Sequence, residues 1–452
     1  MLAPSAAAQP KNSRLLRLRS GLAGLLSFRY LLLRGWTAGG GLIAGLVQTF
    51  VFARVLDPER FSLFILVGAL GTSMWLFDLG LSKIVFVRMR ERFHAGAETQ
   101  MIGAQASALA FFYALLITAA SVACALALAL RNDTSAWQST ELGLFFFFTA
   151  FNLAWFVFRN ASLAVDEYIY FETLESFRRL GYILLMFGLL AGLPLSAFLI
   201  LINVSWITLI AAAGARLANR QALTLQLTGA ARQLQVFFKE NRDSAIRTGT
   251  HAAGEVYIHG ILYLVVPLAF GLGAPTIIVD TALKVFLGTL NLCSAACDLL
   301  VPRQTAAYSS RERHTLIRAT LMALTLCAVP ALAVAGLLLI DAKGLFALLL
   351  SHSAEMPAPV TPILFVLLTA GVIKTAPGFL LQYTGYFKEI ARLSLANVLL
   401  MSAGIVLALM LRLDVVGLLA VYAAVFVIVA GMYLVVALRG PLQVEQGTAA
   451  AA

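Results

Sequence analysis

Residues 360–382 read VTPILFVLLTAGVIKTAPGFLLQ, an unbroken apolar run with a single charge, Lys374. A helix of that length, rising 1.5 Å per residue, is about 34 Å long, enough to cross a hydrocarbon core of about 30 Å. The rest of the chain repeats the pattern. Further crossings are expected at about 35–56, 61–82, 101–130, 141–163, 180–193, 195–214, 246–270, 275–300, 319–340, 394–411 and 415–438. Only Pro194 separates the fifth from the sixth. Of 452 residues, 61% are hydrophobic and 12% charged, where a soluble domain carries about 25% charged. Mean hydropathy is +0.89. Lipid offers no water to backbone polar groups, so the expected fold class is all-α integral membrane, with about twelve helices.

The net charge of +11 would raise nucleic acid for a soluble chain. Here the basic residues cluster in alternate loops, which is the signature of membrane topology, and no nucleic-acid partner is expected. One side receives 26 Lys and Arg and the other 5. The basic side includes Lys83, Arg88, Arg159, Arg178 and Arg179; the other has Arg54, Arg60, Arg131, Lys343 and Arg412. This bias places the N- and C-termini in the cytoplasm. No cleavable signal peptide is visible, and 15–33 read as a basic amphipathic helix on the inner membrane face.

The polar stretch 215–245 divides the chain into two six-helix halves. The expected organisation is a basic interfacial segment (1–34), an N-terminal bundle (35–214), a cytoplasmic linker (215–245), a C-terminal bundle (246–438) and a cytoplasmic tail (439–452). A faint repeat fits the division. Arg34, Thr37 and Gly41 recur as Arg247, Thr250 and Gly254, and at the same offset Asp78 meets Asn291. Parallel repeats are common in transporters, with the substrate site between them.

Little in the sequence argues for an enzyme. The largest outer loop, 341–359, is short, and neither a phosphate-binding Gly-rich loop nor a carboxylate pair is visible. No cofactor is expected. The four cysteines lie in apolar segments and read as packing residues. The informative groups are ionisable residues inside helices, which must face a wet cavity or a partner. His251, Glu255 and His259 form a stripe one turn apart, extended by Arg247. Asp280 and Lys284 are also one turn apart, and Lys374 lies mid-membrane. As a metal site the stripe is poor, since its outer residues are about 12 Å apart along the axis. It reads instead as a structural polar seam or as a cavity lining. Lys284, Lys374 and Arg247 together suggest a cationic cavity for an anionic headgroup; the other reading is internal ion pairing, for example Lys284 with Asp280 or Glu255.

The segment Phe52-Ala53-Arg54-Val55-Leu56-Asp57-Pro58-Glu59-Arg60-Phe61, with Phe77-Asp78-Leu79-Gly80-Leu81 closing the next helix, resembles the oligosaccharide flippases of the multidrug/oligosaccharidyl-lipid/polysaccharide exporter superfamily. Asp57 and Ser62 depart from that family's usual Gly. The resemblance implies a bacterial inner-membrane protein that flips a polyprenyl-pyrophosphate-linked oligosaccharide outward by alternating access. The product would serve lipopolysaccharide or exopolysaccharide biosynthesis, with membrane lipids, a polymerase and glycosyltransferases as neighbours. Asp78 then becomes a candidate gate residue, or else a local cap or ion-pair member. The alternatives are a cation-coupled multidrug exporter of the same superfamily or a membrane glycosyltransferase or polymerase.

The topology has a direct test. Reporter fusions after residues 95 and 445 should both read cytoplasmic, and one after residue 136 periplasmic; a periplasmic C-terminus would break the even count.

Overall fold

The computed structural model describes residues 13–95, 97–130, 135–220, 222–224 and 229–443, with backbone alone at 13–28, 31, 94, 243, 244, 247, 248 and 302. Fifteen α-helices follow one another among the described residues. They are α1 Ser13–Val55, α2 Pro58–Ser73, α3 Leu81–His94, α4 Gln100–Ala129, α5 Ala136–Ala150, α6 Asn152–Ala164, α7 Tyr168–Leu190 and α8 Leu195–Asn219. The second half has α9 Ala230–Phe270, α10 Ala274–Asp298, α11 Val301–Ser309, α12 Arg313–Leu350, α13 Val360–Tyr383, α14 Phe387–Met410 and α15 Val415–Arg439. Eleven spans among the described residues are long and apolar enough to cross a membrane, with α5 and α6 forming one of them. The protein is a multi-pass membrane protein of two helical halves.

Local chemistry explains the breaks. Asp57 caps α2, its carboxylate accepting from Arg60 N–H at 2.8 Å, with Pro58 opening the helix where its missing N–H costs nothing. Ser135 and Gln138 form a reciprocal capping box on α5. Asp414 caps α15 through Gly417 N–H at 2.8 Å. After a 3-10 turn over Met74–Asp78, Leu79 and Gly80 both take left-handed backbone (φ 46° and 73°), turning the chain into α3.

Several sequence expectations need correction. The fifth crossing starts at Tyr168, not near 180, so Arg178 and Arg179 sit mid-helix rather than in a loop and leave the charge tally. The apolar window missed this helix because Glu172, Glu175, Arg178 and Arg179 interrupt it, yet its 23 residues span about 35 Å. The ninth helix runs on to Leu350 through a kink at Asp341 (φ −159°, ψ 71°). Lys343 is therefore helical, and the outer loop shrinks to 351–359. The polar stretch 215–245 is helical from Ala230, continuous with the seventh crossing. The basic segment from Ser13 continues into the first crossing as one helix; its side chains to residue 28 lie outside the described residues. Matching helix ends in the two halves lie 215 and 216 residues apart, not the 213 of the sequence echo.

Each half has its own apolar core. One gathers Phe52, Phe64, Phe145, Trp155 and Trp206, the other Ile258, Phe286, Leu364, Met401 and Phe426. They meet where α1, packed on α7 of its own half, packs on α10 of the other. The crossing of α1 and α10 needs Gly288: a Cβ there would lie 2.5 Å from Leu42 Cδ1 and 3.2 Å from Leu42 Cα. Small residues let helix backbones approach in lipid, where burial alone gives little drive. At the end away from the basic loops, the halves are tied by three bonds. Ser353 Oγ donates to Ala53 O at 2.8 Å, Arg54 Nη2 to Leu348 O at 2.7 Å, and Gly273 N–H to Ser62 Oγ at 3.0 Å.

Gly288→Ala should destabilise the folded protein by about 1–3 kcal/mol through overpacking, read as a lower melting temperature in detergent. An unchanged melting temperature would mean that the halves do not approach this closely at Leu42.

Candidate transport cavity

A cavity of about 510 Å³ lies between the halves. Its lining starts at Phe64 and Asp280, about two turns inside α2 and α10, and reaches Ser294 and Gln382 near the opposite, basic end. The bonds at Ser353, Arg54 and Ser62 close the other end. The cavity therefore extends toward the basic side.

Its two walls differ in charge. The first half presents Phe64, Ile65, Trp75 and Phe145 together with Gln48, Thr72, Ser73 and Thr149; the second presents His251, Glu255, His259, Asp280, Lys284 and Lys374 among apolar groups such as Leu287 and Phe379. The ionisable groups of the lining all lie on the second wall. The α9 stripe arises because positions 251, 255 and 259 recur every four residues on one helical face.

The charges are internally matched. Lys374 Nζ donates to both Glu255 oxygens, at 2.9 and 2.7 Å. His259 Nε2 lies 3.4 Å from Glu255 Oε2. The Lys374 ammonium also sits 5.3 Å from the Phe426 ring centroid and 5.6 Å from that of Tyr433, within cation–π range. Lys284 Nζ lies 2.7 Å from Asp280 Oδ2 and donates to Thr49 Oγ1, on the facing half, at 3.2 Å. Tyr263 also lines the cavity beside Asp280. His251 Nδ1 meets Ser394 Oγ at 2.8 Å.

Six of the seven residues singled out in the sequence thus line one cavity. Arg247 lies on α9, but its side chain is outside the described residues. Internal ion pairing, the other reading of the sequence, is what the two lysines show: each has a carboxylate partner, so the two lysines and two carboxylates sum to zero. The cause is spacing. Position 280 is one turn from 284, and α13 places Lys374 against the α9 stripe.

Asp78 is not in the lining. Its carboxylate accepts from Ser82 N–H at 3.1 Å, from Ser82 Oγ at 2.9 Å and from Tyr113 Oη at 3.0 Å. Both partner residues belong to the first half, and Asp78 ties the end of α2 to α3 and α4. Arg88 pairs with Glu240 at 2.8 Å.

The sequence reading missed a second charged cluster, inside the first half on α7. Glu175 accepts from Arg178 Nε at 2.8 Å, Arg179 Nε at 2.9 Å and Trp155 Nε1 at 2.9 Å, and Arg178 stacks over Trp206 at 4.5 Å. Glu172 accepts from Thr37 Oγ1 at 2.7 Å and lies 3.7 Å from Arg34. Opposite charges three and four residues apart were the available signal.

No protein-family model and no curated protein sequence matches the chain. Solved structures match its fold. An inward-facing multidrug resistance MATE family transporter of the MOP superfamily aligns with a TM-score of 0.65 at 14% identity, over 90% of this chain and 96% of that one. A eukaryotic MATE transporter gives 0.64 at 14%, over 94% and 99%. A MOP superfamily transporter from Pyrococcus furiosus, described as having a binding pocket of reverse polarity that suggests a different function, gives 0.62 at 15%, over 92% and 95%. The architecture is that of a MATE-like transporter, two helical halves around a central cavity.

The Lys374–Glu255 pair should behave as a coupled unit. Lys374→Met or Glu255→Gln alone leaves polar or charged groups buried without partners and should cost about 3–5 kcal/mol. The double variant should recover most of that loss, as measured by thermal unfolding in detergent. Additive losses would show that the two side chains do not interact.

Proposed function

We propose that the protein is an alternating-access transporter that carries amphipathic solutes from the basic side of the membrane to the opposite side. The carrying observation is the cavity of mixed apolar, aromatic and polar lining, with its ionisable groups on one face, between halves joined at one end. A space of about 510 Å³ suits a drug-sized solute, which such sites bury almost completely. Matched lysine–carboxylate pairs favour a solute with both apolar and polar surface over a densely charged one. The structural neighbours described as multidrug transporters favour the same reading. The Pyrococcus furiosus neighbour is a reason not to assign solute charge from the fold.

Flipping of a lipid-linked oligosaccharide is the second reading. It is favoured by the segment from Phe52 to Phe61 and the Phe77–Leu81 helix end, which carry the flippase resemblance. A bacterial inner membrane and cytoplasmic termini belong to both readings.

Alternating access requires the closed end to open. Ala53→Cys with Ser353→Cys, in a background lacking the four native cysteines, should cross-link on oxidation. Transport of a fluorescent amphiphile in proteoliposomes should then stop and return on reduction. Full transport by the cross-linked protein would overturn the mechanism.

A further inference from the structure

Two cations left free by the pairing lie on the helices at the basic end of the bundle. Lys83 stands two residues into α3 and Arg159 on α6. Among the described residues, neither side chain has a hydrogen bond or ion pair. The nearby carboxylates are occupied. Asp298 accepts from Arg34 Nη2 at 3.1 Å, Glu172 pairs with Arg34 and Thr37, and Asp78 is held by Ser82 and Tyr113. Arg34 Nε is itself buried without a partner.

These groups share one place. α3, which carries Lys83, packs on α6, which carries Arg159, and on α9 of the facing half. Arg159 stands one turn beyond Phe156, whose ring packs on Trp75 of the cavity lining. The start of α3 abuts α9, since a Cβ on Gly249 would lie 3.0 Å from Leu79 Cδ2. Lys83 is solvent-accessible yet crowded by protein, the situation of a side chain in a recess. Burial pushes its ammonium down from the ordinary lysine range; Asp78 opposes that shift and Arg159 adds to it.

Aromatic pairs lie at the same end of the bundle. Trp75, in the cavity lining, packs edge-on against Phe156 at 4.5 Å, Tyr30 against Tyr168 at 5.0 Å, and Phe379, also in the lining, beside Tyr383 at 5.9 Å. The mouth thus offers unpaired hydrogen-bond donors and rings, while the cavity above it is neutral.

We propose that Lys83 and Arg159, with Arg34 behind them, form a vestibule that receives the anionic group, phosphate or carboxylate, of an amphipathic solute before its apolar part enters the cavity. The proposal deepens the transport reading by giving the solute a charge, and it rests on that reading only for direction of movement. Guanidinium and ammonium donors bind such oxyanions through charge-assisted hydrogen bonds.

The purified full chain in a neutral maltoside detergent is titrated calorimetrically with dodecyl phosphate, dodecanoate, inorganic phosphate and dodecyltrimethylammonium. Dodecyl phosphate should bind, and Lys83→Gln with Arg159→Gln should weaken it by about tenfold or more. Lys83→Arg should keep most of the affinity. Equal binding of dodecanoate would mark charge rather than phosphate as the determinant. Displacement by inorganic phosphate would mark a free anion as sufficient, and its failure an amphiphile. Unchanged dodecyl phosphate affinity in the double variant, or no binding by the native protein, overturns the vestibule and leaves the two cations as side chains that only reach for water. Binding of dodecyltrimethylammonium in that event would keep the transport reading standing. Thermal unfolding of each variant, with single Lys83→Gln and Arg159→Gln alongside, separates lost binding from lost structure.

Discussion

An ionised side chain inside a hydrocarbon slab needs either a partner or water, and the interior of this protein is arranged around that requirement. Lys374 shows it most directly. Its ammonium holds both oxygens of Glu255 and lies against Phe426 and Tyr433. Lys284 is matched by Asp280 and reaches across to Thr49. On α7, one carboxylate serves two arginines and a tryptophan. Breaking such a pair strands a charge, which costs more than the intact pair contributes. The pairs therefore constrain which helices can be neighbours: α9 with α13, α10 with α1, α7 with α6.

Much of this was legible in the sequence, for a physical reason. Apolar runs long enough to cross a membrane are dictated by bilayer thickness, so most crossings could be read from composition. Ionisable residues within such runs are rare enough to mark an interior, and His251, Glu255, His259, Asp280, Lys284 and Lys374 do line one cavity. The fifth crossing escaped the apolar window because its charges cancel within the helix: Glu175 stands three and four residues before Arg178 and Arg179, and Glu172 lies two turns before Arg179, a compensation that a hydropathy average does not see. Partnership was the other illegible quantity. That Lys374 meets Glu255, 119 positions away, depends on how α13 packs on α9. That Asp78 turns inward to Ser82 and Tyr113 depends on two left-handed residues at the end of α2.

The difference between the walls bears on movement. The first half offers the cavity rings, aliphatic groups and uncharged polar groups. The second offers polar groups already bonded within their own half, Lys284 excepted. A rocking motion of one half against the other would leave Lys374–Glu255 and His251–Ser394 intact, since all four residues sit on α9, α13 and α14. It would act on the bonds that cross the interface: Ser353 to Ala53, Arg54 to Leu348, Gly273 to Ser62 and Lys284 to Thr49, and at the basic end the ion pairs of Arg34 with Asp298 and Arg88 with Glu240. A net hydrogen bond is worth about 1 kcal/mol and a solvent-exposed ion pair about the same or less, so each can be exchanged for an equivalent bond, or for water, without a large barrier. The buried charge pairs lie within a half, Lys374–Glu255 in the second and Glu175 with Arg178 and Arg179 in the first.

The same division accounts for where free charge can be tolerated. A cation without a partner in the cavity would have to be desolvated whenever the cavity emptied or the halves closed over it, and the membrane would make that state costly. At the basic mouth, Lys83 remains in contact with solvent and Arg159 is only partly covered, so each can stay ionised while unbonded. An incoming anion would replace water on these donors instead of replacing an internal carboxylate. With the proposed vestibule, recognition of charge at the entrance and accommodation of apolar surface within would be separated in space. The paired lysines would then keep the polar wall wettable without making the cavity a trap for any ion that enters.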